Sequence, residues 1–332
     1  MKRLLVIVII IMTCWSVYWY VAMRGAKSGF ESWFEARRAA GWQAEYSALE
    51  INGFPNRIDA TFDKPVLADP ATGLAWEAAF LQIFALSYKP NHVIMVWPKS
   101  QRLSTPLTHY NIASEDMRAS VVMAPETSLP FERANLVAQA MAVTTKAGIT
   151  TLGGVQVAAS RLEGADSEYR LSANIDGLAP ALSGPLTLRT GGALPRQLEA
   201  LRVDATMKFD RPWDLSTIET GRPQPTRLKL RLAEAKWGDL ELAMAGAVEI
   251  GVDGHLSGRI TLKARNWRDI ITILRQMNAV PDTWIDPLEQ GLSLAAQLSG
   301  NQETLDLPLD FKNGQMALGP IPLGPAPVIR LR

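Results

Sequence analysis

The chain has 332 residues, with 34 Lys and Arg against 33 Asp and Glu, so its net charge is +1. This balance supplies no basic excess for neutralising phosphates, and nucleic acid is therefore not expected as a partner. One cysteine excludes an internal disulfide and any metal site built on several cysteines. With 47% hydrophobic and 20% charged residues, the composition is that of a folding chain, long enough for two domains or one large β domain.

The first predicted element is a membrane anchor over residues 1–24. Residues 4–23 carry no charge and are bracketed by Lys2, Arg3 and Arg24. A helix of that length is about 30 Å long, which matches the hydrocarbon thickness of a bilayer. Aromatic residues crowd its second half, as at a membrane interface. The residues assigned to the anchor are Leu4, Trp15, Tyr18, Trp19, Tyr20 and Met23.

The alternative is a cleaved signal peptide, whose apolar region would run about 7–15 residues and end at a small-x-small site. Here Arg24 stands where a small residue is needed, and the context of Cys14 resembles a lipoprotein box only weakly. We therefore favour a retained anchor. Because Lys2 and Arg3 favour the cytoplasmic side, we predict a single-pass inner-membrane protein with its C-terminal domain in the periplasm.

Residues 25–45 are predicted to form a separate juxtamembrane helix. Phe30, Trp33 and Phe34 recur at helical spacing, and the pattern ends near Gly41. Such an amphipathic helix either lies at the membrane interface or packs on the domain behind it. We favour packing.

From Tyr46 onward the apolar residues recur with a period of two. The alternation is strictest over residues 201–209 and returns over 228–232, 240–244, 248–252 and 256–262, with Asp253-Gly254 as a hairpin signal. Strands joined by short polar turns indicate an antiparallel sheet with one dry face and one wet face. The chain is therefore predicted to be mainly β, with a large curved antiparallel sheet, a first β half over residues 46–183 and a second over 184–332.

Two or three helices are expected to cover this sheet. In the second half, Asn266 is a plausible N-cap for an apolar stripe that starts at Trp267 and continues to Met277. Asp286-Pro287 has the form of a second helix start, for a helix that continues to Leu298. A short similarity between residues 57–65 and 202–212 leaves open whether the two β halves are related.

The sequence indicates no enzymatic chemistry. His92, His109 and His255 are scattered, without a second ligand at metal-binding spacing. Residues 254–258 lack the spacing of a nucleophile elbow, and the carboxylates of Asp59 and Asp204 fall on predicted wet faces. We therefore predict no metal, no cofactor and no enzyme activity.

Several short motifs resemble an uncharacterised bacterial family, domain of unknown function 2125. They are Gly53-Phe54-Pro55, Arg57-Ile58-Asp59, Trp76-Glu77-Ala78, Lys89-Pro90-Asn91-His92, Leu307-Pro308-Leu309, Gly314 and Leu318-Gly319-Pro320. The resemblance implies an alphaproteobacterial envelope protein and supplies no catalytic residues.

Residues 237–246 and 251–258, with the helix after Trp267, are more distantly similar to the carboxy-terminal parts of AsmA-like envelope proteins. That similarity implies a membrane helix, a long curved sheet and a role in moving or organising lipids between membranes. The chain is much shorter than the bridge-forming members of that group, so a groove is a better expectation than a complete bridge.

Two hypotheses follow for the apolar face of the sheet. In the first, part of the face stays uncovered and shelters a lipid or another amphiphile, at roughly 0.8 kcal/mol for each buried methylene. In the second, the helices close the face, and the protein is an anchored scaffold that binds an envelope protein. The inner membrane is a partner in both. The residues predicted to line the groove are Leu201, Val203, Met207, Leu228, Leu230, Leu240, Leu242 and Ile260.

Overall fold

The computed structural model describes residues 1–181, 197–217, 221–269, 271, 285–286, 289–293, 296, 304–319 and 321–331. It contains one long N-terminal helix and 20 strands. The strand pairings between described residues are antiparallel throughout. The predicted class, mainly β with antiparallel sheet and a long apolar N-terminal helix, is confirmed.

Helix α1 runs without a break over Lys2–Ala39, so the predicted anchor and the predicted juxtamembrane helix are one element. The separate helix predicted for residues 25–45 is therefore wrong in its start, because glycine inside a helix costs only about 1 kcal/mol and no proline interrupts the run. The helical pattern does end near Gly41, but residues 43–45 of the predicted range form a strand. Gly41 has a φ of 86°, and the N–H groups of Trp42 and Gly41 donate to the carbonyls of Arg37 and Arg38, which is the Schellman pattern.

The first of two compact units comprises residues 1–125 and 136–146. Its strands are β1 (Gln43–Glu45), β2 (Ala48–Asn52), β3 (Arg57–Asp63), β4 (Val66–Asp69), β5 (Leu74–Ala78), β6 (Phe80–Leu86), β7 (Lys89–Val96), β8 (Ser100–Ser104), β9 (His109–Ala113), β10 (Asp116–Met123) and most of β11 (Phe131–Thr145).

Four long bent strands make up most of this unit. β3 continues into β4, β5 into β6, β7 into β8 and β9 into β10, each across one to three residues. Neighbouring bent strands pair along both of their parts, as β3–β6 with β4–β5, and β6–β7 with β5–β8. Since Arg57 pairs with Leu86 and Ala75 with Ser104, the turns at 53–56 and 87–88 lie at one end and those at 70–73 and 105–108 at the other.

The second half of α1 packs on this unit. Phe30 and Phe34 lie against Phe62 of β3, and their ring centroids are 5.2 and 5.4 Å from that of Phe62. Phe34 and Phe62 are almost completely buried, together with Ala44 and Ala60. Packing on the domain is thus the arrangement that the structure shows for this part of the helix.

The second unit comprises residues 126–135 and 147–332. Its strands, besides the start of β11, are β12 (Gly148–Arg161), β13 (Glu168–Leu178), β14 (Leu198–Phe209), β15 (Pro225–Trp237), β16 (Leu240–Ile250), β17 (Leu256–Arg265), β18 (Thr304–Lys312), β19 (Gln315–Leu318) and β20 (Ile321–Pro325).

Strands β12 to β20 of this unit each pair with the next in sequence. The predicted first half ended at residue 183, whereas β12 and β13 belong to the second unit with β14. The predicted boundary between the two halves instead falls between two paired neighbours, β13 and β14. Residues 182–196 lie outside the described residues.

A bulge interrupts β15. Leu230 pairs with Ala205 and Leu232 with Asp204, so Arg231 is the extra residue. Leu232 therefore shares a face with Asp204, although strict alternation from Leu228 placed it on the dry face. Beyond the bulge, the dry face is continued by Ala233.

Helical residues follow β17 at positions 267–269, 271, 285–286, 289–293 and 296. The Asn266 side-chain amide donates to the Asp239 carbonyl at 2.7 Å and joins the first of these segments to the β15–β16 turn. The rest of the helices predicted after Asn266 and Asp286 lies outside the described residues. Ile285 is already helical, so the second helical segment begins before the predicted cap at Asp286.

Candidate functional site

Strands β12 to β18 have apolar side chains on one face of the sheet, and we call this side of the sheet the apolar face. Three rows of cross-strand neighbours run across it. The first is Val155, Ile175, Leu201, Ala235, Leu242, Ala264 and Leu305; the second is Val157, Ala173, Val203, Ala233, Met244, Leu262 and Leu307; the third is Ala159, Leu171, Ala205, Leu230, Gly246, Ile260 and Leu309.

The structure places all eight predicted groove residues on this face. Met207 pairs with Leu228, and Leu240 pairs with Trp237 beside the first row. Leu240 and Ile260 are buried. The other six, Leu201, Val203, Met207, Leu228, Leu230 and Leu242, are half-buried.

The opposite face of the same strands is charged. Arg170 on β13 holds both carboxylate oxygens of Asp204 on β14, at 3.0 and 2.8 Å. Hydrogen bonding to Arg170 lowers the pKa of Asp204, and the same pair raises the pKa of Arg170. Further cross-strand ion pairs are Arg202–Glu234, Lys208–Glu168, Lys236–Glu199, Arg227–Glu249, Arg259–Asp310 and Arg265–Glu241. One face is thus built for water and the other for apolar contact.

The helical segments cover one part of the apolar face. Trp267, Ile271, Ile285, Leu292 and Ala296 are buried against Ala264 and Leu305, and Leu242 and Leu307 pack at the margin; we call this group the helix-covered cluster. It lies over β16–β18, so Leu242 is in contact with protein there.

The C-terminal segment covers a second part. Ala326 is buried with residues of β16–β18, and Ile329, Met207, Leu228, Leu230 and Met244 pack around them; we call this group the C-terminal cluster. The segment is held by hydrogen bonds from the Ile329 N–H to the Gly254 carbonyl and by two bonds between the Gln224 side chain and the Leu331 backbone, at 2.9 and 3.1 Å. The sequence offers no periodic signal for this covering segment.

Four aromatic rings border the face near β13 and β14. Phe131, Tyr169, Phe209 and Trp213 form a chain with centroid distances of 5.7, 5.8 and 5.6 Å. The Tyr169 hydroxyl accepts a hydrogen bond from the backbone N–H of Trp213 at 3.0 Å. Burial raises the pKa of Tyr169. Sequence reasoning missed this group because Trp213 stands outside any periodic segment.

A less covered region on β12–β14 lies between the two clusters and the aromatic rings. We call it the β12–β14 strip, and it comprises Val157, Leu171, Ala173, Leu201 and Val203. Val157 is 43% exposed, and the other four are half-buried. Among the described residues, the strip belongs to neither cluster. Arg161, on the same face of β12, pairs with Tyr169 at its end. The strip is an apolar surface with a cation at one end.

The three histidines do not meet. His92 and His109 each lie 2.9 Å from a serine hydroxyl, those of Ser120 and Ser104. His255 lies 3.9 Å from the Asp253 carboxylate. Within the part of the chain that the structure describes, no three His, Cys, Asp or Glu side chains are grouped to hold a metal ion.

A family model described as an uncharacterized protein conserved in bacteria (DUF2125) matches residues 19–327. No curated protein and no solved structure matches the chain.

Proposed function

The chain belongs to this bacterial family, DUF2125, and we propose that it is a membrane-anchored envelope protein whose β12–β14 strip shelters an acyl chain of a lipid or another amphiphile. In this proposal α1 crosses the inner membrane and the β units lie in the periplasm. The observation that carries the binding role is the half-buried apolar strip that ends at Arg161.

The anchor is supported by the exposure of the first part of α1. Residues 2–15 are exposed along their whole length, and α1 is the one helix among the described residues that is long and apolar enough to cross a membrane. An exposed apolar helix of this kind needs lipid around it. Lys2 and Arg3 support a cytoplasmic N-terminus.

The strip is suited to an acyl chain by its chemistry. Val157, Leu201 and Val203 offer branched apolar side chains, and each methylene buried there is worth roughly 0.8 kcal/mol before the cost of ordering the chain. A cation at one end is the complement of an anionic headgroup. Arg161 supplies that charge.

Photocrosslinking of the full-length protein tests this role. In membranes that contain a phospholipid with a diazirine at the acyl terminus, we expect crosslinks to peptides of β13 and β14 as well as to α1. Val203→Trp should remove the β13–β14 crosslinks because the indole fills the strip. The matched control is Arg202→Trp, which places the same side chain on the opposite face of β14.

Crosslinks to α1 serve as the internal standard for the anchor. If α1 is labelled while β13 and β14 are not, the binding role is wrong and the anchor stands. If neither is labelled, the anchor itself is wrong.

A second candidate function, an anchored scaffold that binds an envelope protein, is favoured by the two clusters over β16–β18. If such a cover extends across the strip, the core is closed and binding takes place on the outer surface. Labelling confined to α1, together with a loss of unfolding free energy in Val203→Trp because the indole overpacks a closed core, would support this candidate.

A further inference from the structure

Three aromatic side chains of α1 are hydrogen-bonded to two turns of the first β unit and to the first residue of β3. The Trp15 indole donates to the Pro55 carbonyl at 3.0 Å, the Trp19 indole to the Arg57 carbonyl at 2.7 Å, and the Tyr18 hydroxyl to the Ser87 carbonyl at 2.6 Å. These turns, residues 53–56 and 87–88, lie side by side at one end of the bent strands. We call them the hairpin tips.

The contacts begin inside the predicted membrane span. If residues 4–23 fill the hydrocarbon, Trp15 lies eight residues, about 12 Å along the axis, below the boundary at Met23. The Pro55 carbonyl that Trp15 binds must then lie at a similar depth. A helix that spans the bilayer fully cannot keep the hairpin tips in water.

The exposed side chains of the tips suit the outer part of a membrane leaflet. Phe54 is 57% exposed and Tyr88 is 63% exposed, and Phe54 packs edge-on against Trp19 at 5.3 Å. Arg57 and Lys89 are the first residues after the two hairpin tips. Aromatic rings are typical of the outer part of a membrane leaflet, and long basic side chains beside them can extend their charges towards the headgroups.

The backbone of the tips is also prepared for an apolar surrounding, where an unpaired carbonyl would cost several kcal/mol. Besides the three carbonyls bound by α1, the Gly53 carbonyl accepts from the Arg57 N–H, and the Asn56 carbonyl accepts from the Ser87 N–H and hydroxyl. Ser87 is 1% exposed. Turns that face water do not need this many internal partners, because water supplies them.

We infer that the two hairpin tips insert, beside α1, into the membrane leaflet on the side of the β units, with Phe54 and Tyr88 in contact with lipid. This inference rests on the proposed anchor. The tips of the first β unit are then embedded in the bilayer, and lipid covers their exposed aromatic side chains.

Depth-dependent fluorescence quenching tests the insertion. In the full chain with Cys14→Ala, single cysteines at Ile7, Phe54, Asn56 and Leu107 are labelled with an environment-sensitive dye and reconstituted into phosphatidylcholine vesicles. Asn56→Cys keeps both aromatic residues of the tips. Leu107, 95% exposed, lies in the turn at the opposite end of the strands and is the matched control.

We expect quenching of Phe54→Cys, Asn56→Cys and Ile7→Cys by lipids that carry a nitroxide on the acyl chain, because all three positions then lie within the hydrocarbon, and no quenching of Leu107→Cys. Adding Phe54→Ser and Tyr88→Ser to Asn56→Cys should reduce its quenching. If the tip labels behave like Leu107→Cys while Ile7→Cys is quenched, the insertion is wrong and the anchor holds. If Ile7→Cys is not quenched either, the anchor is wrong.

Discussion

Single residues show how the sheet of the second unit separates its two faces. Asp204 accepts two hydrogen bonds from Arg170, while its neighbours Val203 and Ala205 point to the apolar face. Adjacent residues of β14 therefore lie in different surroundings, one charged and the other apolar.

Asp204→Asn should lower the free energy of unfolding by about 1 kcal/mol or less at neutral pH, because exposed ion pairs contribute little. The pKa of Asp204 is lowered in the folded state, so its contribution is present above about pH 4, the unfolded value, and is lost as the pH falls through the folded pKa. Urea unfolding at several pH values should show the difference between wild type and variant shrinking below pH ~4.

Thr206→Val, which lies two residues along β14 on the same face and removes no ionisable group, is the control, and its effect should not depend on pH in this way. An equal difference for Asp204→Asn at pH values far below and above its titration would contradict the assignment.

Gly246 is a second position at which a single added atom, a Cβ, should change the stability of the protein. Its φ is 155°, and a Cβ there would lie 2.7 Å from the Ile260 Cα on the neighbouring strand. Gly246→Ala should therefore destabilise the protein by about 2 kcal/mol or more in thermal or urea unfolding. Gly154→Ala, on β12, meets its nearest atom at 3.8 Å and should be neutral or slightly stabilising. Equal effects at the two sites would refute the close approach of β16 and β17.

At the scale of the element, the bulge at Arg231 gives two leucines of β15 different roles. Leu230 packs in the C-terminal cluster, whereas Leu232 is 37% exposed on the charged face. We expect Leu230→Ala to cost about 2 kcal/mol and Leu232→Ala to stay within about 0.5 kcal/mol. The free energies of unfolding of the two variants provide the measurement, and each is the other's control. Similar losses would mean that β15 has no bulge at Arg231.

Alternation over residues 201–209 predicted the strand, its two faces and the groove residues that the structure brings together on the apolar face. Alternation could not predict the bulge, because the extra residue at Arg231 shows only as a shift in the pairing of β15 with β14 and β16 and leaves no local signal in the sequence. The continuous α1 was missed for a related reason: the change from an apolar to an amphipathic pattern at Arg24 alters the surroundings of the helix and not its backbone.

At the scale of the whole molecule, the N-terminal half of α1 should determine where the protein is found. Replacing Ile7 and Ile10 together by arginine puts two charges into the predicted span, where the insertion cost of an arginine rises to about 2.5–3.5 kcal/mol at the helix centre. We expect the protein to move from the membrane pellet to the supernatant after an alkaline carbonate wash. Ile7→Leu with Ile10→Leu is the control and should stay in the pellet. Retention of both variants would show that the helix does not anchor the chain.

The orientation has its own expected outcome. An alkaline phosphatase fused after Arg332 should be active in a bacterial host, because that enzyme folds actively in the periplasm, where its disulfides form. A fluorescent cytoplasmic reporter at the same position should be inactive. The reverse pattern would invert the predicted topology.

The covering of the apolar face could be predicted only in part. Helical stripes after Asn266 indicated covering helices, and Trp267 is indeed buried on the sheet. The other covering segment, with Ala326 and Ile329, is extended and rich in proline, so no period reveals that it packs on strands far away in the sequence. Contacts of this kind arise from tertiary structure and cannot be inferred from local pattern.

The bonds between Gln224 and Leu331 join residues that are 107 positions apart. During synthesis the ribosome therefore makes β15, β16 and β17 long before the segment that shields them. For that interval their leucines and isoleucines are available to chaperones and to other nascent chains. A release of the chain before Ala326 would leave this surface permanently unshielded, so premature termination near the C-terminus should lead to aggregation or proteolysis despite the loss of only a few residues.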